Sequence, residues 1–226
     1  MNLSIIVPML DEERAIAPTL QALRRGAPDA EIICVDGGSA DSTRDIAAPL
    51  CDRVLIATRG RARQMNAGAA VARGDTLVFV HADTLTPPDF AIQVATALAD
   101  ESVVGGRFDV LLDDPALRYR FLSWSINARS RLMQSATGDQ AIFVRRAIFE
   151  QLGSFPEIDL CEDVAFCREL RRIGRVACLR AKVQTSARRW REHGFLRTIL
   201  RMWAIKAQFL LGIPPARLKR KYIDVR

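Results

Sequence analysis

Apolar residues recur along the chain in two alternating rhythms. Short unbroken apolar runs alternate with stretches in which apolar positions return every three or four residues. Leu3–Val7 is the first run, and Pro8, which has no N–H to donate, is expected to end its ladder. A helix then runs through Leu20 and Leu23 to Arg25. Proline suits only the start of a helix, so Pro18 sets that start near Ala17. Glu31–Val35 reads as a second strand, followed by a turn rich in glycine and capping residues, Asp36 to Ser42. Arg53–Ala57 is a third strand, Ala62–Ala72 a helix stopped by Gly74, and Thr76–Val80 a fourth strand with the continuous apolar character of burial on both faces. Pro87 and Pro88 open the next helix. Strands alternating with helices predict an α/β fold with a mainly parallel sheet and helices on both faces.

The second half is less regular. Val103–Val110 reads as a strand, Pro115–Met133 as a long helix and Ala141–Arg145 as a strand, with a short helix before Gly153. Glu162–Arg172 is helical, Arg175–Leu179 a short strand, and the chain from Trp190 onward helical and basic. This organisation divides into an α/β domain over 1–186 and a helical extension over 187–226.

Composition narrows the class. Apolar residues are 49% and charged residues 26% of 226, ordinary for one globular domain with a core. The formal charge of +7 favours anionic partners such as phosphates or a membrane surface, although a solvated basic face reads the same way. No interleaved aromatic and basic motif accompanies the charge, so nucleic acid is not the expected partner. Five cysteines without a CxxC pair exclude a disulfide framework and a zinc knuckle and suggest reduced thiols in the cytoplasm. The amino terminus carries no recognisable signal peptide, and no uncharged apolar run reaches the ~20 residues that span a bilayer.

In an open parallel sheet, ligands sit outside the carboxyl ends of the strands. Asp11, Asp36 and Asp83 fall there. Each alone fits a helix N-cap; together they also suit hydrogen bonds to a ribose or base, or a hard divalent cation. The glycines after Asp36 allow close backbone approach. His81 and Asp83, alternate residues of an extended segment, can face one ligand, and their donor types suit Mn²⁺ or Mg²⁺ on a diphosphate. Glu162 and Asp163 read either as dipole-stabilising acids in a first helical turn or as reactive carboxylates.

The ordered segments SIIVPMLDEE (4–13), VDGGSADST (35–43), GRARQMNAGAAVARGDTLVFVHADT (60–84), GDQAIFVRRAIFEQLGSF (138–155) and CEDVAFCREL (161–170) resemble the family 2 glycosyltransferases, which have the GT-A fold. The resemblance implies a nucleotide-sugar donor of UDP or GDP type, Mn²⁺ or Mg²⁺ as cofactor, and transfer to an acceptor hydroxyl with inversion. It assigns Asp36 to the nucleotide base and Asp11 and Glu13 to the region of the nucleoside. Pro8, Gly37, Ser39, Asn66 and Ala82 complete the donor set. Asp83 matches the last acid of the family's DxD metal motif, and Asp163 its general base. Gly138, Asp139 and Gln140 border the acceptor, with Glu162 beside the base. Arg188, Arg189 and Trp190 partly match the QxxRW motif of processive members, but Gln184 lies too far upstream for a strict match. The sequence departs from the family at His81, which stands where the first DxD acid is expected. That leaves Asp83 as the metal carboxylate, with His81 at the same site, and puts metal affinity in question.

The implied chemistry is physically coherent. Arg61 and Arg63, at a helix start that itself attracts anions, are placed to neutralise a diphosphate leaving group while Asp163 takes the proton of the attacking hydroxyl. The tail segment 195–213 carries a polar line at Arg197, Arg201 and Gln208. It packs on the domain or lies as a basic amphipathic helix on an anionic membrane, helped by Lys219-Arg220-Lys221, and there reaches a lipid-linked acceptor. The expected location is cytoplasmic, peripheral at the inner face of a membrane. Two other functions fit less well. A sugar-phosphate nucleotidyltransferase would place a glycine-rich loop where PMLDEER stands. A non-catalytic nucleotide-sugar-binding protein would account for His81.

Overall fold

The computed structural model describes residues 1–219. Lys219 closes the described chain, so Arg220 and Lys221 of the basic cluster lie outside it. The order of elements is β1 (Leu3–Met9), α1 (Ile16–Gly26), β2 (Glu31–Asp36), α2 (Thr43–Ala47), β3 (Arg53–Ile56), α3 (Arg61–Val71), β4 (Thr76–Phe79), β5 (Thr84–Leu85), α4 (Phe90–Leu98) and β6 (Val103–Leu112). There follow α5 (Leu117–Met133), β7 (Ile142–Arg145), α6 (Arg146–Gln151), α7 (Glu162–Ile173), β8 (Arg175–Thr185), α8 (Arg188–His193), α9 (Phe195–Leu210) and α10 (Pro215–Lys219).

One sheet runs in the order β3-β2-β1-β4-β7-β6-β8-β5. Its amino-terminal half is parallel, as the alternating pattern predicts. The other half keeps one parallel pair, β6 with β8, so the sheet is mainly parallel as expected, and it adds antiparallel pairs to it. β7 is antiparallel to both β4 and β6, and β5 is antiparallel to β8, so the sheet is mixed. β7 hands the chain directly to α6 on one face, whereas a parallel neighbour would need a crossover back along the sheet.

β1 is central and alternates between two cores. Ile5, Val7 and Met9 face α1 and α4, where Leu20, Leu23, Phe90 and Val94 are buried. Ile6 faces α3, α6 and α7, with Met65, Phe149 and Phe166. Gly68 lets α3 press onto β1, since a Cβ there would fall 2.5 Å from Ile6.

Pro8 does not end β1, which pairs with β2 as far as Met9 opposite Asp36. Ile6 accepts from Val80 on the β4 side, so Pro8, two residues on, also faces that side. β4 has ended there, and the missing N–H leaves no ladder bond unmade. Pro18 sits in the first turn of α1, where an N–H has no partner within the helix. β8 extends six residues beyond the predicted Leu179: exposed Arg180, Lys182 and Gln184 alternate with Ala181, Val183 and Thr185, which face inward with Val183 in the core. Gly194, at φ 84°, breaks the predicted continuous tail helix into α8 and α9.

Candidate functional site

The ends of β1 and β2 are laced together. Asp36 is fully buried, and its carboxylate accepts the N–H of Gly38 (3.1 Å) and Ser39 (3.1 Å) and the Ser39 hydroxyl, with Arg44 3.8 Å away. The Asp11 amide donates to Ser39 Oγ (3.0 Å), and its carboxylate accepts from Ala40 (2.8 Å). The Glu12 and Glu13 amides donate to Thr43 Oγ1 (2.7 Å) and Asp41 (3.2 Å). Beneath this loop pair, buried Gln64 donates to the carbonyls of Met9 and Val35 (2.9 Å each) and lies under Gly37, where a Cβ would sit 3.0 Å from it. Fixed dipoles thus surround Asp36 before any ligand arrives.

A polar cleft opens beside these loops at the carboxyl edge of the parallel strands. Pro8, Arg61, His81, Ala82, Asp83, Arg188 and Arg189 all line it. Burial pushes the Asp83 carboxyl above the usual aspartate range, against the pull of Arg188 and Arg189 and with the help of Asp139. Arg188 also pairs with Glu12 at 3.0 Å, which ties α8 to the loop after β1. A larger cavity of about 610 Å³ lies at the opposite, amino edge, lined by Asp75, Thr76, Arg145 and Arg146. The parallel-sheet rule places ligands at the carboxyl edge instead.

Among the described residues no three His, Cys, Asp or Glu side chains converge to cage a metal. The donor set fits a different kind of site. A half-buried carboxylate with an imidazole nearby has the donor types that would hold Mn²⁺ or Mg²⁺ beside a diphosphate.

Gly138 joins this cleft to the acids of α7. On one side, a Cβ at Gly138 would lie 2.4 Å from His81 Nε2, so the imidazole packs directly on its backbone. On the other, the Gly138 N–H donates to Asp163 Oδ2 at 2.7 Å, while Asp163 Oδ1 accepts from Val164. Asp163 is buried in the first turn of α7, where the helix dipole favours its negative charge. Glu162, also buried, meets Arg61 of the cleft at 3.3 Å. Burial raises the Glu162 carboxyl above its usual range, Arg61 opposes that, and Asp163 adds to it.

Not every predicted site residue reaches the cleft. Asn66 exchanges two hydrogen bonds with the Phe155 backbone (2.9 and 3.0 Å) and so clamps the loop before α7. Arg63 is directed outward to Glu157 at 3.4 Å. Trp190 is buried among Tyr119, Leu122 and Leu112. Gln140 is an internal brace, its Oε1 accepting from Thr137 and Ser130. Sequence reasoning passed over Gln64, Glu12 and Lys206. Gln64 stands one helical turn after Arg61, and Glu12 lies between two acids that were singled out. Lys206, in α9, lies in the fields of Asp163 and Asp139, a proximity that only tertiary structure reveals.

The fold and cleft together define an α/β protein of GT-A architecture with a polar cleft of acids and arginines at the sheet edge. Residues 4–151 match the family described as "Glycosyl transferase family 2", and the chain belongs to that family. A "PGL/p-HBAD biosynthesis glycosyltransferase" of Mycobacterium tuberculosis is 31% identical over 163 residues. That match covers 67% of this chain and 62% of the relative, so the chain spans under two thirds of its relative's length. S. aureus TarS 1-349 in complex with UDP-GlcNAc superposes with a TM-score of 0.67 at 19% identity, covering 82% of this chain and 58% of that one. The mannosyltransferase PcManGT from Pyrobaculum calidifontis, in complex with GDP-Man and Mn²⁺, gives 0.67 at 22% identity, covering 93% and 62%.

Proposed function

We propose that the chain is an inverting glycosyltransferase that moves a sugar from a UDP- or GDP-type donor to an acceptor hydroxyl. The observation that carries this reading is the half-buried Asp83 sharing one cleft with Arg188 and Arg189, one glycine away from the buried Asp163. Asp36 and its loop hold the nucleoside. Arg61, Arg188 and Arg189 hold the diphosphate and oppose the charge that grows on it as the glycosidic bond breaks. A divalent cation at Asp83 supplies Lewis-acid stabilisation of the same leaving group. Asp163, held in place by hydrogen bonds from the Gly138 and Val164 amides, accepts the proton of the attacking hydroxyl. One base and one in-line displacement give inversion. Structural relatives whose complexes hold UDP-GlcNAc, or GDP-Man with Mn²⁺, support the donor class.

In this reading residues 1–186 are the catalytic domain, and the extension that follows, described as helical to Lys219, completes the cleft with Arg188 and Arg189 and touches the cytoplasmic face of a membrane, where a lipid-linked acceptor resides. Leu196, Leu200 and Trp203 of α9 support that contact, being 72%, 66% and 65% exposed on one helical stripe with Arg197 beside them. No described helix is long and apolar enough to cross a membrane. The deciding experiment is calorimetric titration with UDP- and GDP-sugars, with and without Mn²⁺, followed by donor turnover. Nucleotide binding strengthened by Mn²⁺ is the expected result. Binding without turnover of any donor, over a range of acceptors, would leave a non-catalytic binding protein.

A further inference from the structure

Two cationic side chains, Arg129 and Lys206, lie near Asp163 and Asp139. Lys206 belongs to α9, whose adjacent Ile205 is buried against Cys161, Leu160 and Val164, the residues flanking the Glu162-Asp163 pair. The helix is therefore seated on the turn that presents the base. After burial, the field at Lys206 is set by Arg129, Asp163 and Asp139. Arg129 belongs to α5, next to Ser130, whose hydroxyl bonds Gln140 and so fixes α5 to the turn 138–140. Three elements thus converge on one spot beside Asp163.

Polar groups at this spot are buried and lack protein partners. Arg129 Nε and Asp139 Oδ1 have none among the described residues. Among the described residues Lys206 forms no salt bridge either, although two carboxylates are close enough to shape its field. A buried donor and a buried acceptor left unmade each carry a desolvation cost, so such groups are retained where a ligand satisfies them. Mutual neutralisation of these acids and bases would instead appear as direct pairs, as it does for Arg131 with Asp109 in the neighbouring part of α5.

We propose that Arg129 and Lys206 form an anion subsite on the acceptor side of Asp163, so that the acceptor carries a phosphate or carboxylate close to its reacting hydroxyl. The inference rests on the glycosyltransferase reading for the role of Asp163. A guanidinium and an ammonium at one point match an oxyanion and have no use for a neutral sugar. Asp139 Oδ1 accepts a second acceptor hydroxyl. The anionic group anchors the acceptor, and its hydroxyl is thereby held at Asp163 rather than exchanged for water.

The test is calorimetry on the full chain, with and without UDP and Mn²⁺, using glycerol 3-phosphate, glycerate and glycerol. These probes share hydroxyls and differ in the anionic group, so they separate a phosphate from a carboxylate preference. At least one anion should bind ten-fold or more tighter than glycerol. Lys206→Gln and Arg129→Gln should each weaken that anion by about ten-fold or more, the scale of a lost charged hydrogen bond. Both should leave UDP affinity unchanged, and Lys206→Arg, which keeps the charge and the packing stem, should retain most of the anion affinity. Equal affinity for all three probes, binding of neither anion, or indifference to both charge-removing variants would overturn the subsite. Failure of the parent to bind any nucleotide would instead sink the glycosyltransferase reading, whatever the anions do.

Discussion

The parallel half of the sheet and the mixed half solve different problems. Around β1 and β2 the polar groups are spent on one another: Asp36 on Gly38 and Ser39, Asp11 on Ala40, Gln64 on Met9 and Val35. Among the described residues, no buried side-chain polar atom before His81 lacks a partner. Beyond it such atoms occur on α5, the 138–140 turn, α8 and α9, as at Arg129, Asp139, Trp190 and Thr198. Most large apolar side chains left exposed are also here, on α5 and α9. The first half is a cradle whose buried polar groups are already paired. The second half leaves bonding capacity and apolar surface for whatever completes it.

Breaking the base tests the boundary between the halves and has the largest expected effect. Asp163→Asn keeps the shape and removes the basicity. Turnover should fall by ~10²–10⁴-fold, the usual cost of a lost general base, with nucleotide affinity unchanged. Glu162→Gln should cost less, since Glu162 orients Arg61. Kinetics and calorimetry on both variants decide, and near-parent turnover in Asp163→Asn would sink the mechanism. Next comes the cradle itself. Asp36→Ala should weaken nucleotide binding by about 1–3 kcal/mol through loss of a charged hydrogen-bond acceptor. Unchanged affinity would remove Asp36 from the donor site.

The same division explains what the sequence made legible. In the parallel half, apolar runs and acid-bearing turns are local, and Asp11, Asp36 and Asp83 could be placed at one edge by counting residues. Pro8 misled because a proline is silent when the neighbouring strand has already ended. In the mixed half the meaning of a residue depends on distant partners. The exposed alternation of β8 concealed six strand residues, and α9 gave no sign that Ile205 would seat Lys206 beside Asp163. Asn66 and Trp190 matched motif positions, yet their side chains close a loop and a core.

Asp83 sharpens the comparison through pH. Burial raises its folded-state pKa above the value in the unfolded chain, so folding favours the neutral acid. Its ionisation therefore opposes folding above the unfolded pKa of about 3.9, and the penalty disappears as pH falls below that value. At neutral pH Asp83→Asn should stabilise the protein while abolishing the Mn²⁺ enhancement of nucleotide binding. In the parent, that enhancement should fade with falling pH sooner than an ordinary aspartate would allow, because proton and cation compete for the same oxygens. Thermal melts and calorimetry across pH 4–8 are the measurements. A destabilised Asp83→Asn that still responds to Mn²⁺ would refute both parts.

The smallest effect on the fold belongs to the exposed face shared by α5 and α9. Tyr119 of α5 and Phe195 of α9 meet edge to face at 5.3 Å, so the two helices are direct neighbours. Phe121 and Trp124 are 66% and 64% exposed on α5, and their rings lie 5.6 Å apart. They recur at the helical spacing of Leu196, Leu200 and Trp203 on α9, so each helix turns one apolar stripe outward. Contacts already made with water contribute little to folding. Trp124→Ser and Trp203→Ser should therefore shift stability by no more than about 0.5 kcal/mol. On a membrane the same side chains would be the contact, and arginines such as Arg120 and Arg197 would add attraction to anionic lipid. The double variant should lose co-sedimentation with phosphatidylglycerol vesicles while nucleotide binding is retained. Parent protein that ignores such vesicles, or a double variant that binds them equally well, would remove the membrane from this face. A concentration-dependent dimer in the parent, lost in the variant, would assign the face to a second copy of the chain.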